Sequence, residues 1–128
     1  MDNNTIQILN NTIYQIYNID DFDSMKREIL TSLRLLIPNK CASLLMARKD
    51  MKHSLTDPMC APEKYKEMEE RYMLYEDRDF SNWILHKNRT VILNVSTLMD
   101  ESEREKTDVY INCFAPYGLH YSLDMTIA

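Results

Sequence analysis

Two hydrophobic periods run along this chain, one helical and one of strand type. Near the start, Ile6, Leu9, Ile13 and Ile16 recur at steps of three and four. That spacing predicts one apolar stripe of a helix, with Asn4 or Thr5 as its N-cap. A second helix is expected over residues 21–37, with Phe22, Met25, Ile29, Leu33 and Leu36 on one face. Acids crowd its start, where they suit the helix dipole, and Pro38 ends it. The short apolar run over residues 41–48 predicts a buried strand. "MKHSLTDPMCAP" predicts turns, because it carries Asp-Pro and Ala-Pro steps.

From Pro62 the helical period returns, with Tyr65, Met68, Tyr72 and Tyr75 as its stripe. A short helix over residues 79–86 and a strand in "TVILNV" follow. "DESEREKTDVYINCFA" then opens with two capping-box patterns, Asp100 to Glu103 and Ser102 to Glu105. Its apolar side is read as Tyr110, Ile111 and Phe114, and Pro116 and Gly118 end it. The last stretch alternates strictly: Leu119, Tyr121, Leu123, Met125 and Ile127 share one face, and His120, Ser122, Asp124 and Thr126 the other. The order ααβαβαβ predicts an α+β fold in which helices pack on a mostly antiparallel sheet. Its length of 128 residues suits a single domain. Helices fill residues 1–38, and a sheet and pocket region fills residues 39–128.

Composition removes several classes of function. The formal net charge is -5, and basic residues are scattered, so no stripe is available for nucleic-acid phosphates. One glycine cannot build a glycine-rich phosphate loop. Cys41, Cys60 and Cys113 are far apart, which argues against a disulfide framework or a zinc set. Cys60, expected in a loop, is the one cysteine with a chance of reactivity, yet no base adjoins it. No signal peptide or apolar run long enough to span a membrane is visible, so a cytoplasmic protein is expected.

The polar face of the last strand invites a triad of His120, Ser122 and Asp124. Residues two apart on a strand sit about 7 Å apart and residues four apart about 13 Å, so Asp124 cannot orient His120. That face is either solvated or the floor of a ligand pocket. The densest candidate site is "YMLYEDRDFSNW", where Tyr72, Tyr75, Asp79 and Trp83 combine apolar bodies with polar tips. A helical stripe of this kind is also how core tyrosines are placed. The carboxylates of "DESERE" read as a solvated helix start. No catalytic residue, metal ligand or cofactor is expected.

Tyr72, Tyr75, Asp79 and Trp83, the helix start "TLMDESEREKTDVY", and the closing Tyr117, Gly118, Tyr121, Ser122 and Leu123 together carry a resemblance. From residue 55 to 128 the chain resembles the GAF-like N-terminal sensor domain of LuxR-family transcription regulators. The resemblance implies a PAS/GAF-type fold, an antiparallel sheet with helices on both sides and a pocket between. It implies a non-enzymatic module that binds a small molecule, pairs as a homodimer and signals to a helix-turn-helix outside this chain. More distantly, acyl-homoserine-lactone receptors have Tyr, Trp and Asp pocket residues in a similar order. By that likeness Tyr72, Tyr75, Asp79 and Trp83 line a pocket, closed by Phe114, Tyr117, His120 and Ser122. Such sheets continue past a strand like the last one here, so the chain reads as a truncated domain with an unpaired strand edge. The alternative is a dimerisation module whose core is filled by its own side chains.

Overall fold

A computed structural model describes residues 1–48, 54–87 and 89–127. Helix α1 spans Asn3–Tyr17 and α2 spans Phe22–Leu36, followed by strands β1 (Ala42–Ala47) and β2 (Leu55–Ala61). Then come helix α3 (Lys66–Tyr75), strand β3 (Val91–Asn94), the short helix α4 (Glu101–Arg104) and strand β4 (Leu123–Thr126). The fold is α+β, as the element order predicts. Among the described residues the strands form two separate two-stranded sheets, β1–β2 and β3–β4. The chain divides into two compact units, residues 1–45 with 58–66 and residues 46–57 with 67–128. The expectation of one domain placed its internal boundary at residue 38.

In the first unit α1 and α2 pack as a helical pair. Asp2, not Asn4 or Thr5, caps α1, accepting from the Thr5 amide at 2.7 Å. Asp21 caps α2 by accepting from the Ser24 amide at 2.9 Å. The packed stripes are more polar than the apolar periodicity suggests. Ile6 and Ile13 are exposed, while the Thr12 hydroxyl donates to Ser32 Oγ at 2.8 Å. Leu30, outside the expected α2 stripe, is its most buried residue, and Phe22 is exposed. The rest of the expected stripes, Leu9, Ile16, Met25, Ile29, Leu33 and Leu36, is half-buried. Strand β1 is half-buried to exposed rather than a core strand.

Residues 55–61 are strand rather than the turns predicted from Asp-Pro and Ala-Pro, while residues 51–53 of that stretch lie outside the described set. Asp57 takes a positive φ of 53° just before Pro58, which carries the strand through the proline step. Cys60 therefore sits in a strand and is buried, not in an open loop.

In the second unit, Glu76 anchors the start of β2. It is fully buried, and its two carboxylate oxygens accept the backbone amides of Ser54 and Leu55. Those amides replace the hydration that burial removes. Helix α3 realises its expected stripe, with Met68 buried and Tyr72 and Tyr75 half-buried. The helix expected over residues 79–86 is a 3-10 turn over Asn82–His86. After α4 the chain makes a wide π turn over Tyr110–Phe114, so Val109 and Cys113 take the core positions and Ile111 turns to solvent. Gly118, at φ 66°, caps the closing 3-10 turn in the left-handed region, which is what the chain's one glycine supplies.

Strand β4 is shorter than its alternation suggests, and its polar face, not its apolar one, turns inward. It pairs antiparallel with β3, Leu93 opposite Asp124 and Ile92 opposite Met125. Leu93 and Val95 are buried with Ile84, against Phe80 and Val91. The face of β4 on that side carries Asp124 and Thr126. Tyr121, Leu123, Met125 and Ile127, the apolar face, are exposed, with Ile127 80% exposed. No helix among the described residues is long and apolar enough to cross a membrane.

Replacing Glu76 with Ala is expected to cost about 2–4 kcal/mol, because two buried amides lose a charged acceptor. Glu76→Gln, which keeps one carbonyl oxygen, is expected to cost less. Urea denaturation of both variants checks the ranking.

Candidate interior carboxylate site

The residues that converge come from three separate stretches of the second unit. Helix α3 projects Glu69 and Tyr72 from one face, three residues apart. The chain then leaves the helix through a 3-10 turn at Glu76–Arg78, which brings Asp79 back towards Tyr72. The Tyr72 hydroxyl donates to Asp79 Oδ2 in a close contact. The other oxygen, Asp79 Oδ1, accepts the Ser81 amide at 3.1 Å. Asp79 is thus fixed from both sides. The Phe114 ring lies 5.8 Å from that of Tyr72, tilted by 31°. Arg71 holds α3 against the π turn by donating to the Asn112 carbonyl at 3.2 Å.

Asp124 reaches this group from β4 because the register turns it inward. Burial, and then the charges of Asp79 and Glu69, push its carboxyl from the ordinary 3.8 up to about 6, with the Ser122 hydroxyl bond opposing. Like charges in a partly dry site resist joint ionisation. The same burial, followed by the charge of Asp79, raises the Tyr72 phenol far above its usual range, so it stays protonated and keeps its donor to Asp79. Burial pushes the Cys113 thiol up to about 11. A thiol held protonated is a poor nucleophile. The group can accept hydrogen bonds and favours positive charge. It offers no activated nucleophile.

Of the residues singled out from the sequence, Tyr72, Asp79 and Phe114 come together, and Ser122 joins them through Asp124. Trp83 does not join them. It is 43% exposed, with the Lys87 ammonium 5.7 Å from its ring. Tyr75 is half-buried with the Arg78 guanidinium 5.4 Å from its ring. Tyr117 is half-buried in the 3-10 turn before Gly118. His120 belongs to a second group with Tyr110 and Glu101. Sequence reasoning missed Glu69, whose signal is its place one helical step before Tyr72. Asp124 lies on the strand face considered as a pocket floor, but it was not singled out with Ser122 and His120. A shallow open depression of about 390 Å³ lies in the first unit, lined by Thr31, Arg34, Leu35, Pro38, Asn39 and Ala61, none of them a predicted site residue.

Set against family models, curated proteins and solved structures, the chain matches none.

The raised Asp124 carboxyl makes the fold pH-sensitive with a definite sign. Its folded form favours the proton, so this contribution is complete below about pH 4 and is lost as pH rises through about 6. Asp124→Asn is expected to leave stability at pH 4 nearly unchanged. At pH 7 it should gain roughly 1–2 kcal/mol after solvent screening. Melting curves of both proteins across this range check it.

Proposed function

We propose that the second unit is a non-enzymatic sensor domain of GAF-like kind, which binds a small amphipathic molecule and passes its occupancy to a transcription-regulating partner segment. The observation that carries this reading is the convergence of Tyr72, Asp79 and Asp124 beside the Phe114 ring. Fixed polar groups beside an aromatic wall are what orients a small ligand. Asp79 and Asp124 call for a ligand with hydrogen-bond donors, such as an amide, hydroxyl or ammonium group. The protonated Cys113 thiol favours binding over covalent chemistry. Occupancy acts by stabilising one arrangement of the domain over another, to the extent that the ligand's affinity for the two differs.

A second reading, a homodimerisation module without a ligand, draws support from a different observation. Ile92, Leu123 and Met125 form an exposed apolar face on the β3–β4 sheet, flanked by Tyr121 and Ile127. A contiguous apolar patch of this kind marks an interaction surface.

Native mass spectrometry of the protein incubated with extract from its expression host separates the two. The sensor reading expects a non-covalent small-molecule adduct, reduced about tenfold in Asp79→Asn, which loses a charge-assisted acceptor. Circular dichroism confirms that this variant is folded. A dimer that carries no adduct overturns the sensor reading in favour of the second. In that case Met125→Glu is expected to yield monomers with an unchanged melting temperature, and a persistent dimer would exclude this face as the interface.

A further inference from the structure

His120 departs from the interior group because the turn after Gly118 carries it towards α4. Glu101 and Glu105 stand four residues apart, on the same side of that turn of helix, and both reach the imidazole. His120 Nε2 is in close contact with Glu101 Oε1 and lies 3.3 Å from Glu105 Oε1. One nitrogen and two carboxylate oxygens therefore converge, all within 4.8 Å of one another. Ligands of a tetrahedral or octahedral ion at about 2.1 Å stand roughly 3–3.5 Å apart along each edge.

The surroundings distinguish this group from a chance cluster of surface acids. His120 has its other ring nitrogen, Nδ1, 2.8 Å from the Tyr110 hydroxyl. The hydrogen bond between Tyr110 and Nδ1 fixes the ring so that Nε2 faces the two carboxylates; without an ion Nε2–H donates to them, and a bound ion replaces that proton. Tyr110 is itself held, since the guanidinium of buried Arg104 lies 5.2 Å from its ring centre. On the outer side, the Tyr121 hydroxyl donates to Glu101 Oε1 at 3.3 Å, and its ring meets that of His120 edge-on with centroids 4.9 Å apart. The imidazole is thereby clamped between two tyrosines, and one of the carboxylates is also hydrogen-bonded.

We propose that Glu101, Glu105 and His120 form a binding site for a divalent first-row transition ion, with Tyr110 as the positioning residue for His120. The mixed donor set of one imidazole and two carboxylates suits Zn²⁺ or Mn²⁺ better than Mg²⁺ or Ca²⁺, which take oxygen ligands alone. Three protein ligands leave coordination positions for water or a second molecule. The site is independent of the interior carboxylates and of the function proposed for them.

Isothermal titration of the full chain with Zn²⁺ and, separately, Mn²⁺ tests the site. One ion per chain is expected, with Zn²⁺ the tighter of the two. His120→Ala and Glu105→Gln are each expected to weaken binding at least tenfold. Glu103→Gln alters an exposed acid of the same helix that pairs with Lys106, and is expected to change binding less than twofold. Tyr110→Phe keeps the three ligands and frees the imidazole ring to turn, and is expected to weaken binding several-fold. Melting curves without metal establish that each variant is folded. No heat of binding for either ion overturns the proposal. So does binding that His120→Ala and Glu105→Gln both retain, or that Glu103→Gln weakens equally, since the ion would then be held by thiols or by diffuse negative charge.

Discussion

The pairing register of β3 and β4 is the constraint on which the second unit depends. Leu93 and Val95 are buried with Ile84, and this commits one face of β3 to the interior. Leu93 stands opposite Asp124, so the same commitment turns Asp124 inward and Met125 outward. Slipping the pair by one residue would exchange the faces of β4 completely, because strand side chains alternate with a period of two. It would bury Leu123 and Met125 and carry Asp124 away from Asp79. The polar interior and the apolar exterior are two results of one choice.

The inward carboxylates of this unit are of two opposite characters. Glu76 is completely buried and has two backbone amides to hold its charge, so it ties β2 to the end of α3. Asp124 instead meets Asp79 and Glu69, and its pKa rises to about 6. A carboxylate answered by amides serves the fold. A carboxylate set against others costs stability near neutral pH, and a positively charged or donor-rich ligand would offset that cost. Buried groups placed against their own stability are where function is most often found. His120 lies on the same strand face as Asp124, but beyond the paired residues, where the turn at Gly118 redirects it towards α4. One short segment therefore contributes both to the interior group and to the cluster at the surface.

Local chemistry sufficed for much of this molecule. Four of the helix positions rest on periodicity and breakers: α1, α2 with its stop before Pro38, α3, and the start of α4 after Asp100. The α+β order, the strand character of residues 91–94 and the break at Gly118 follow from the same rules. Tyr72 and Asp79 were placed in one candidate site by their nearness in sequence, though their hydrogen bond was not. Each depends on groups close in sequence, whose geometry the backbone sets.

The rest required contacts between distant segments. Between α1 and α2, Thr12 pairs with Ser32 and Leu30 is the most buried residue, while Ile6, Ile13 and Phe22 are exposed, details that the apolar count does not carry. The π turn at Tyr110–Phe114 moved the core positions to Val109 and Cys113, which no local period marks. The sharpest case is β4. Its sequence determined that two chemically different faces exist, because alternation is a property of the strand alone. Which face is buried was decided by Leu93 and Val95 on another strand, since burial belongs to a pairing and no strand chooses its own partner.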